Sequence, residues 1–326
     1  MKTKHIALVL AATLSLSVTT LVRAEEGGSG HYLPGAMSSF VDAVPPSETF
    51  IARYNFLYYT GSFNGNPIPF ARLLATNLNA ESYASGLTML WRPPLDLGQK
   101  WSFALSTTIP FIWLDVSGDA TATVTLPNGT RITRTVRRSD SVNGIGDIVL
   151  MPLMLNYKVA RDFNVNFRVG VYAPTGNYQV GRLANTGKNF WTAEPTLGLM
   201  YFGQKNGFEA SLFAGCDFNS ENQDTSYRSG DQFHIDGTLA EHLPLAGGLG
   251  GIGVNGYWYQ QITGDTGAGA NLGNFEGSTA GLGPVISYVH KIGKVDMMAE
   301  AKWLHEVETQ RRLQGDYVWL KVVFKF

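Results

Sequence analysis

Cysteine is almost missing from this chain. Cys216 stands alone among 326 residues, which excludes an intramolecular disulfide framework and a thiolate zinc site. Charge is sparse as well: charged residues make up 16% and the net formal charge is −1. Neither nucleic acid nor an acidic surface is therefore an implied partner. Beyond Ala24 no apolar run approaches the roughly 20 residues that a helical membrane span needs. Catalytic signatures are also absent. There is no Gly-x-Ser-x-Gly elbow and no His-x-x-x-His pair. Gly144-Ile145-Gly146-Asp147 lacks the third glycine of a dinucleotide fingerprint and opens no helix. No cofactor and no metal is called for, and no catalytic residue is assigned.

What is present starts with an export signal. Lys2, Lys4 and His5 precede an apolar run, Ile6–Val22, broken only by Thr and Ser. Val22-Arg23-Ala24 fits a peptidase site, so residues 1–24 read as a signal peptide cleaved after Ala24. Residues 25–47 form a Gly/Pro-rich segment whose apolar members include Tyr32, Met37 and Phe40. That segment reads either as a plug folded into a lumen or as a flexible periplasmic leader, the plug being favoured because leaders carry more charge and fewer aromatics.

Residues 48–326 alternate. In Phe163–Tyr172 one face carries Phe163, Val165, Phe167, Val169 and Val171. The other carries Asn164, Asn166, Arg168, Gly170 and Tyr172. Period-two patterning suits a strand with lipid on one side and a polar lumen on the other, although a soluble sandwich can alternate in the same way. Segments near 208–217 and 295–303 repeat the pattern. About twelve such strands are legible, near 48–60, 81–92, 101–113, 143–158, 163–173, 189–202, 207–218, 231–243, 249–262, 279–291, 294–306 and 316–326. Long connections at 61–80, 114–142, 174–188, 219–230, 263–278 and 307–315 alternate with short ones. That asymmetry marks an outer-membrane barrel with both termini in the periplasm. The hairpin-like stretch 119–138, turning at Asn128-Gly129, reads as an external ribbon that could raise the count to fourteen. The expected fold is thus an all-β, antiparallel transmembrane β-barrel of 12–14 strands in outer-membrane lipid. A closed barrel also explains how a large exported domain does without disulfides, since every backbone polar group is paired around the ring.

The last strand, Tyr317–Phe326, alternates to its end. Its expected lipid face is Val318, Leu320, Val322, Phe324 and Phe326. A terminal aromatic on such a strand resembles the address read by the barrel-insertion machinery, so Phe326 is taken as the insertion signal. Tyr58, Tyr59, Trp91, Trp101, Trp113, Trp191, Tyr201 and Trp303 fit interfacial girdles or, for about half of them, ordinary core packing.

An ordered series of short motifs spans most of the remaining chain. It runs from His31-Tyr32-Leu33-Pro34-Gly35 and Pro45-Pro46 to Asn143-Gly144-Ile145-Gly146-Asp147 with Pro152. Next come Ala173-Pro174-Thr175-Gly176-Asn177-Tyr178 and Asn185-Thr186-Gly187-Lys188-Asn189-Phe190-Trp191 with Pro195. The series ends with Tyr227-Arg228-Ser229-Gly230-Asp231-Gln232-Phe233-His234, Gly256-Tyr257-Trp258-Tyr259-Gln260-Gln261 with Asp265, and Gly283-Pro284 with Tyr288. This ordered set resembles the outer-membrane family named for the meta pathway of phenol degradation, related in description to fatty-acid and aromatic-hydrocarbon transporters, and the resemblance implies a channel that passes small hydrophobic or aromatic solutes.

Alternation aims Arg53, Arg92, Asp147, Arg168, Glu194, Glu209, Asp217, Asp236, Glu300, Lys302 and Lys321 inward or places them near strand ends. Of these, Asp147 with Arg168 on a neighbouring strand is the expected pair, bounding a constriction or bracing the wall, and Glu194 joins them as a lumen candidate. Tyr257 and Tyr259 follow glycines 250, 251, 253 and 256 and could line a solute path. Those glycines mark either a wall kink with a lateral exit or, more simply, barrel curvature. The competing functions are a lipid hydrolase or lipid-modifying barrel using His234 with Asp236 or His242 with Glu241, and an adhesive barrel acting through its loops.

Overall fold

The computed structural model describes residues 30–64, 68–70, 73–125, 128–270 and 276–326. The expected signal peptide and its cleavage after Ala24 lie outside the described residues. Within them the chain forms β1 (Thr49–Phe63), β2 (Ile68–Phe70), β3 (Leu73–Arg92), β4 (Trp101–Thr125), β5 (Arg131–Ile145), β6 (Ile148–Lys158) and β7 (Phe163–Ala173). It continues with β8 (Thr192–Phe202), β9 (Phe208–Asn219), β10 (Gln232–Leu245), β11 (Gly248–Gln261), β12 (Ser278–Ile292), β13 (Val295–Gln310) and β14 (Gln314–Lys325). A single 3-10 turn, Phe40–Asp42, precedes them. No helix among the described residues is long and apolar enough to cross a membrane.

The strands pair antiparallel in sequence order, and β14 returns to pair with β1 from Ile51↔Lys325 to Ser62↔Gln314. That closure removes the sheet edges, which would otherwise carry unpaired backbone groups. The wall has twelve positions. β5 and β6 share one of them: the lower half of β4 pairs with β6 and its upper half with β5, the break falling at Gly146-Asp147. β2 is a short extra strand on β3. The stretch 119–138 is therefore the outward continuation of β4 and β5, a ribbon turning at Asn128-Gly129, where the Asn128 side chain accepts from the Thr130 amide at 3.0 Å and Gly129 takes φ +82°. Three expected loops are shorter than the sequence suggested. Residues 61–63 and 73–80 are strand, 114–142 is largely paired, and β13 runs on to Gln310. Pairing partners, not apolar content, extend these strands.

The two faces separate as alternation predicts. Leu212, Leu239, Ile252, Ile286, Leu320 and Phe324 are exposed on the outside, while Asn166, Arg168, Glu209, Asp236, Glu300 and Lys321 are buried within. Trp91, Trp101, Trp113, Trp191 and Trp303 stand outward. Tyr59 does not: it packs on Tyr317 at 4.5 Å and donates to Glu306 at 3.4 Å, inside the lumen.

Segment 30–47 lies within the ring. Leu33-Pro34-Gly35-Ala36 makes a turn closed by Ala36 N–H to Leu33 O at 3.0 Å. Proline suits its second position and Gly35, at φ +79°, its third. Space also requires glycine there, since a Cβ would meet Leu304 at 2.8 Å. Lower down, Val41 and Val44 pack with Ile51, Leu90, Ala104, Met154 and Val323.

Candidate functional site: the occupied lumen

The inner face of the wall holds the segment by polar contacts at four levels. At the first, His31 Nε2 lies 2.9 Å from Asp147 Oδ2 and Nδ1 lies 2.7 Å from Thr192 Oγ1. At the second, Tyr32 OH donates to Asp236 at 2.8 Å, Gly35 N–H donates to the same carboxylate at 2.7 Å, and Trp319 Nε1 donates to Pro34 O at 2.9 Å. The third centres on Asp42, which is 1% exposed. It pairs with Arg53 at 2.6 Å and Lys321 at 3.0 Å, while Lys302 donates to Ser38 Oγ at 2.7 Å. Burial alone would raise the Asp42 carboxyl, but Lys321, Arg53 and Lys302 outweigh it and hold the group well below the usual carboxylate range. At the last level Phe40 N–H donates to Glu209 at 2.7 Å, and its ring packs against Phe202 and His242.

Asp147 and Arg168, expected as partners, are not brought together. The ladder sets Ile148 opposite Ala173 and Met154 opposite Arg168, so the two charges sit about six residues apart along the wall, roughly 20 Å at strand rise. Arg168 instead donates to the Asp42 carbonyl at 2.8 Å, lies 3.4 Å from Met37 Sδ and covers the Phe213 ring. Asp147 serves the loops. It accepts from Gly176 N–H at 2.9 Å and Lys188 N–H at 2.7 Å as well as facing His31. Gly176 and Gly187 meet there so closely that a Cβ on Gly176 would lie 2.6 Å from Gly187 Cα. Four of the sequence motifs thus converge on one carboxylate. Asp265 does the same elsewhere, accepting from Gly230 N–H at 3.0 Å, Gln261 Nε2 at 2.7 Å and the Tyr227 hydroxyl.

His242 and Glu241, named for the competing hydrolase reading, do not pair. Neighbours on a strand point to opposite faces, so Glu241 is exposed while His242 Nε2 lies 2.9 Å from Glu209 inside. His234 does approach Asp236, at 3.5 Å, but equally approaches Glu194 and Asp217. Glu194 accepts from Tyr172 OH at 2.5 Å. The glycine-bearing β11 pairs with β10 and β12 in unbroken register, so the wall is closed there, and close packing surrounds its glycines: a Cβ on Gly253 would collide with Leu239 O. Tyr257 and Tyr259 both face inward, 5% and 0% exposed. Tyr259 stacks on Tyr32 at 5.7 Å and lies under Arg312 at 4.6 Å.

Above the segment, toward the longer loops, is a cavity of about 210 Å³. Tyr32 and Leu33 floor it. Leu57, Leu114, Val116, Leu183 and Leu313 supply apolar wall, and Tyr59, Tyr317, Lys188 and Arg312 supply polar edges. Sequence reasoning missed it because Leu183 and Leu313 come from loops. Their sole signal was apolar residues within polar connections.

A family model described as "Putative MetA-pathway of phenol degradation" matches residues 61–322. Among solved structures, an outer-membrane channel from Pseudomonas putida F1 shares 15% identity, with 90% of this chain and 100% of that one covered at a TM-score of 0.62. The β domain of the Bordetella autotransporter BrkA follows at 10% identity, 86% and 99% coverage and a TM-score of 0.47. A deltaS2S3 mutant of TodX, a monoaromatic hydrocarbon channel, has 10% identity, 94% and 98% coverage and a TM-score of 0.41. No curated protein sequence matches the chain.

Proposed function

The chain belongs to the phenol-degradation MetA-pathway family, and from that premise we propose that it is an outer-membrane channel for passive, selective uptake of small hydrophobic or aromatic compounds. The observation that carries the reading is the cavity above the segment. An apolar wall with a few polar edges is what an aromatic solute needs for affinity and orientation. Size narrows the class: a cavity of about 150 Å³ holds benzene, so 210 Å³ suits one substituted ring better than a long acyl chain. The cationic Arg312 and Lys188 at its edge favour a phenolic or carboxylate substituent.

In this reading segment 30–47 is the plug. Solute collects on its outer side and passes when the polar contacts of the segment yield. Asp147, Arg168 and Glu194 act through the loops and the segment, while Tyr257 and Tyr259 wall the path. Lipid surrounds the barrel, export uses the signal cleaved after Ala24, and the insertion machinery reads Phe326. No catalytic step is assigned.

The test is uptake by a porin-depleted Gram-negative host expressing the chain, with metabolism blocked and a labelled phenol, long-chain fatty acid and hexose compared. Saturable entry of the phenol without the hexose is expected. Equal entry of the hexose would make the protein a general porin. Entry of no probe through a folded barrel would overturn passive transport of these solutes.

A further inference from the structure

Beneath Tyr32 three wall strands bring together Glu194 on β8, Asp217 on β9 and His234 on β10. Their ligand-type atoms all lie within 4.8 Å of one another, and exposure is 1%, 0% and 2%. Glu194 Oε1 is 3.5 Å and Asp217 Oδ1 is 3.7 Å from His234 Nε2. On the far side of the ring Asp236 Oδ2 is 3.5 Å from Nδ1. These separations exceed hydrogen-bond length. Beyond these ion-pair contacts and the Tyr32 N–H near Asp217, neither the Asp217 oxygens nor the His234 nitrogens have a partner at good hydrogen-bond geometry. Buried polar atoms left so are costly and call for an explanation.

We propose that Glu194, Asp217 and His234 bind a divalent first-row transition ion such as Zn²⁺ or Mn²⁺. One imidazole and two carboxylates are an ordinary donor set for such ions, whose ligand distances near 2.0–2.2 Å require only a modest contraction of this triangle. Charge argues the same way. Three carboxylates face one imidazole, which even when protonated offsets one of their three charges. With the ring neutral and Nε2 on the metal, a divalent ion offsets two of the three charges and engages atoms of His234 and Asp217 that otherwise lack a partner. A void of about 10 Å³ adjoins Glu194 and His234, about the room one water needs. Asp236 behind Nδ1 orients the ring so that Nε2 faces the ion, the usual support for a metal-bound histidine.

The site would tie the segment to the wall. Tyr32 stacks on His234 at 4.0 Å and donates to Asp236 at 2.8 Å, so the ion braces both anchors of that level. Its burial means that it loads as the barrel folds or when the segment is displaced. This proposal is independent of the uptake reading, because the ion bears on docking whatever the solute.

The experiment uses the whole exported protein in detergent, both as purified and after chelator treatment and refolding with Zn²⁺ or Mn²⁺. Bound ion is counted by elemental analysis after gel filtration, and Mn²⁺ coordination is read by electron paramagnetic resonance. One ion per folded chain is expected, with nitrogen coupling from the imidazole. Asp217→Asn and His234→Gln should weaken binding by on the order of 100-fold, since changes to outer-shell partners alone reach 10–100-fold. His305→Gln, at an exposed histidine beside Asp316, should leave it unchanged. If either site variant does not fold, the wild-type nitrogen coupling alone decides. No stoichiometric ion in either preparation overturns the site, as does binding lost in His305→Gln or retained in both folded site variants.

Discussion

Asp42 on the N-terminal segment and Lys321 on the last strand are joined at 3.0 Å with both side chains fully buried. They are 279 residues apart in sequence. The contact links the lumen-filling segment to the strand that closes the barrel. Removing one partner of a buried pair costs about 3–5 kcal/mol when the other charge is left alone; Glu300 Oε1, 3.5 Å from Lys321 Nζ, offsets part of that loss here. Asp42→Ala should therefore undock the segment while the lipid-embedded ladder persists. Chymotrypsin cleavage at Tyr32 or Phe40 is expected to become fast in the variant and phenol uptake to rise. Unchanged protection in a folded variant would mean that the ion pairs do not hold the segment.

The acid response of the same contact follows from its depressed carboxyl. A carboxylate with a lowered folded pKa contributes stability that is complete above its unfolded value, about 3.9 for aspartate, and is lost as pH falls through the folded value. Protection of Tyr32 and Phe40 should thus stay constant from pH 8 down to about 4 as far as Asp42 is concerned, and fall only in stronger acid. Asp42→Asn should lack that acid-dependent component. A wild-type loss of protection between pH 7 and 5 that vanishes in Asp42→Asn would contradict the assigned direction.

Filling the outer cavity should close the path without loosening the wall. Leu57 is 5% exposed and lines the cavity. Leu57→Trp should lower phenol uptake by about tenfold or more, the equivalent of roughly 1.4 kcal/mol, with the heat-modifiable mobility of the folded barrel retained. Normal uptake would place the solute elsewhere.

Asp147 anchors two loop motifs and His31 rather than a charged eyelet. Asp147→Asn keeps the size but loses the charge that several donors share, and hydrogen bonds to charged groups contribute about 1.5–3 kcal/mol. Faster proteolysis within 174–190 is expected, and little change in ion selectivity of any residual conductance. A large selectivity change with protected loops would restore the constriction reading.

Phe326 is 63% exposed on the outer face, and its N–H bonds to Phe50 O at 3.0 Å. Phe326→Ala alters little of the folded wall, yet it should reduce the membrane-inserted fraction in cells while purified protein refolds in detergent as before. Equal insertion of both chains would remove the role given to the terminal aromatic.

Period-two alternation made the barrel legible. Asn166, Arg168 and Gly170 inward with Phe167 and Val169 outward is a local property of an extended chain, and Val318, Leu320 and Phe324 show it equally. The turn at Pro34-Gly35 and the ribbon tip at Asn128-Gly129 were likewise local, because backbone dihedrals choose those residues. Partnerships were not local. Alternation says which way Asp147 and Arg168 point but carries nothing about register, and register put six residues between them. Strand ends failed for the same reason: the ribbon above Leu114 is held by cross-strand pairing rather than by apolar content. By itself, then, the sequence determined the strands, their two faces and the closing aromatic. Only the tertiary structure decided that segment 30–47 fills the lumen, that the recurrent motifs gather on Asp147 and Asp265, and that Glu194, Asp217 and His234 meet, since each depends on closing a ring across chain distances that no local preference records.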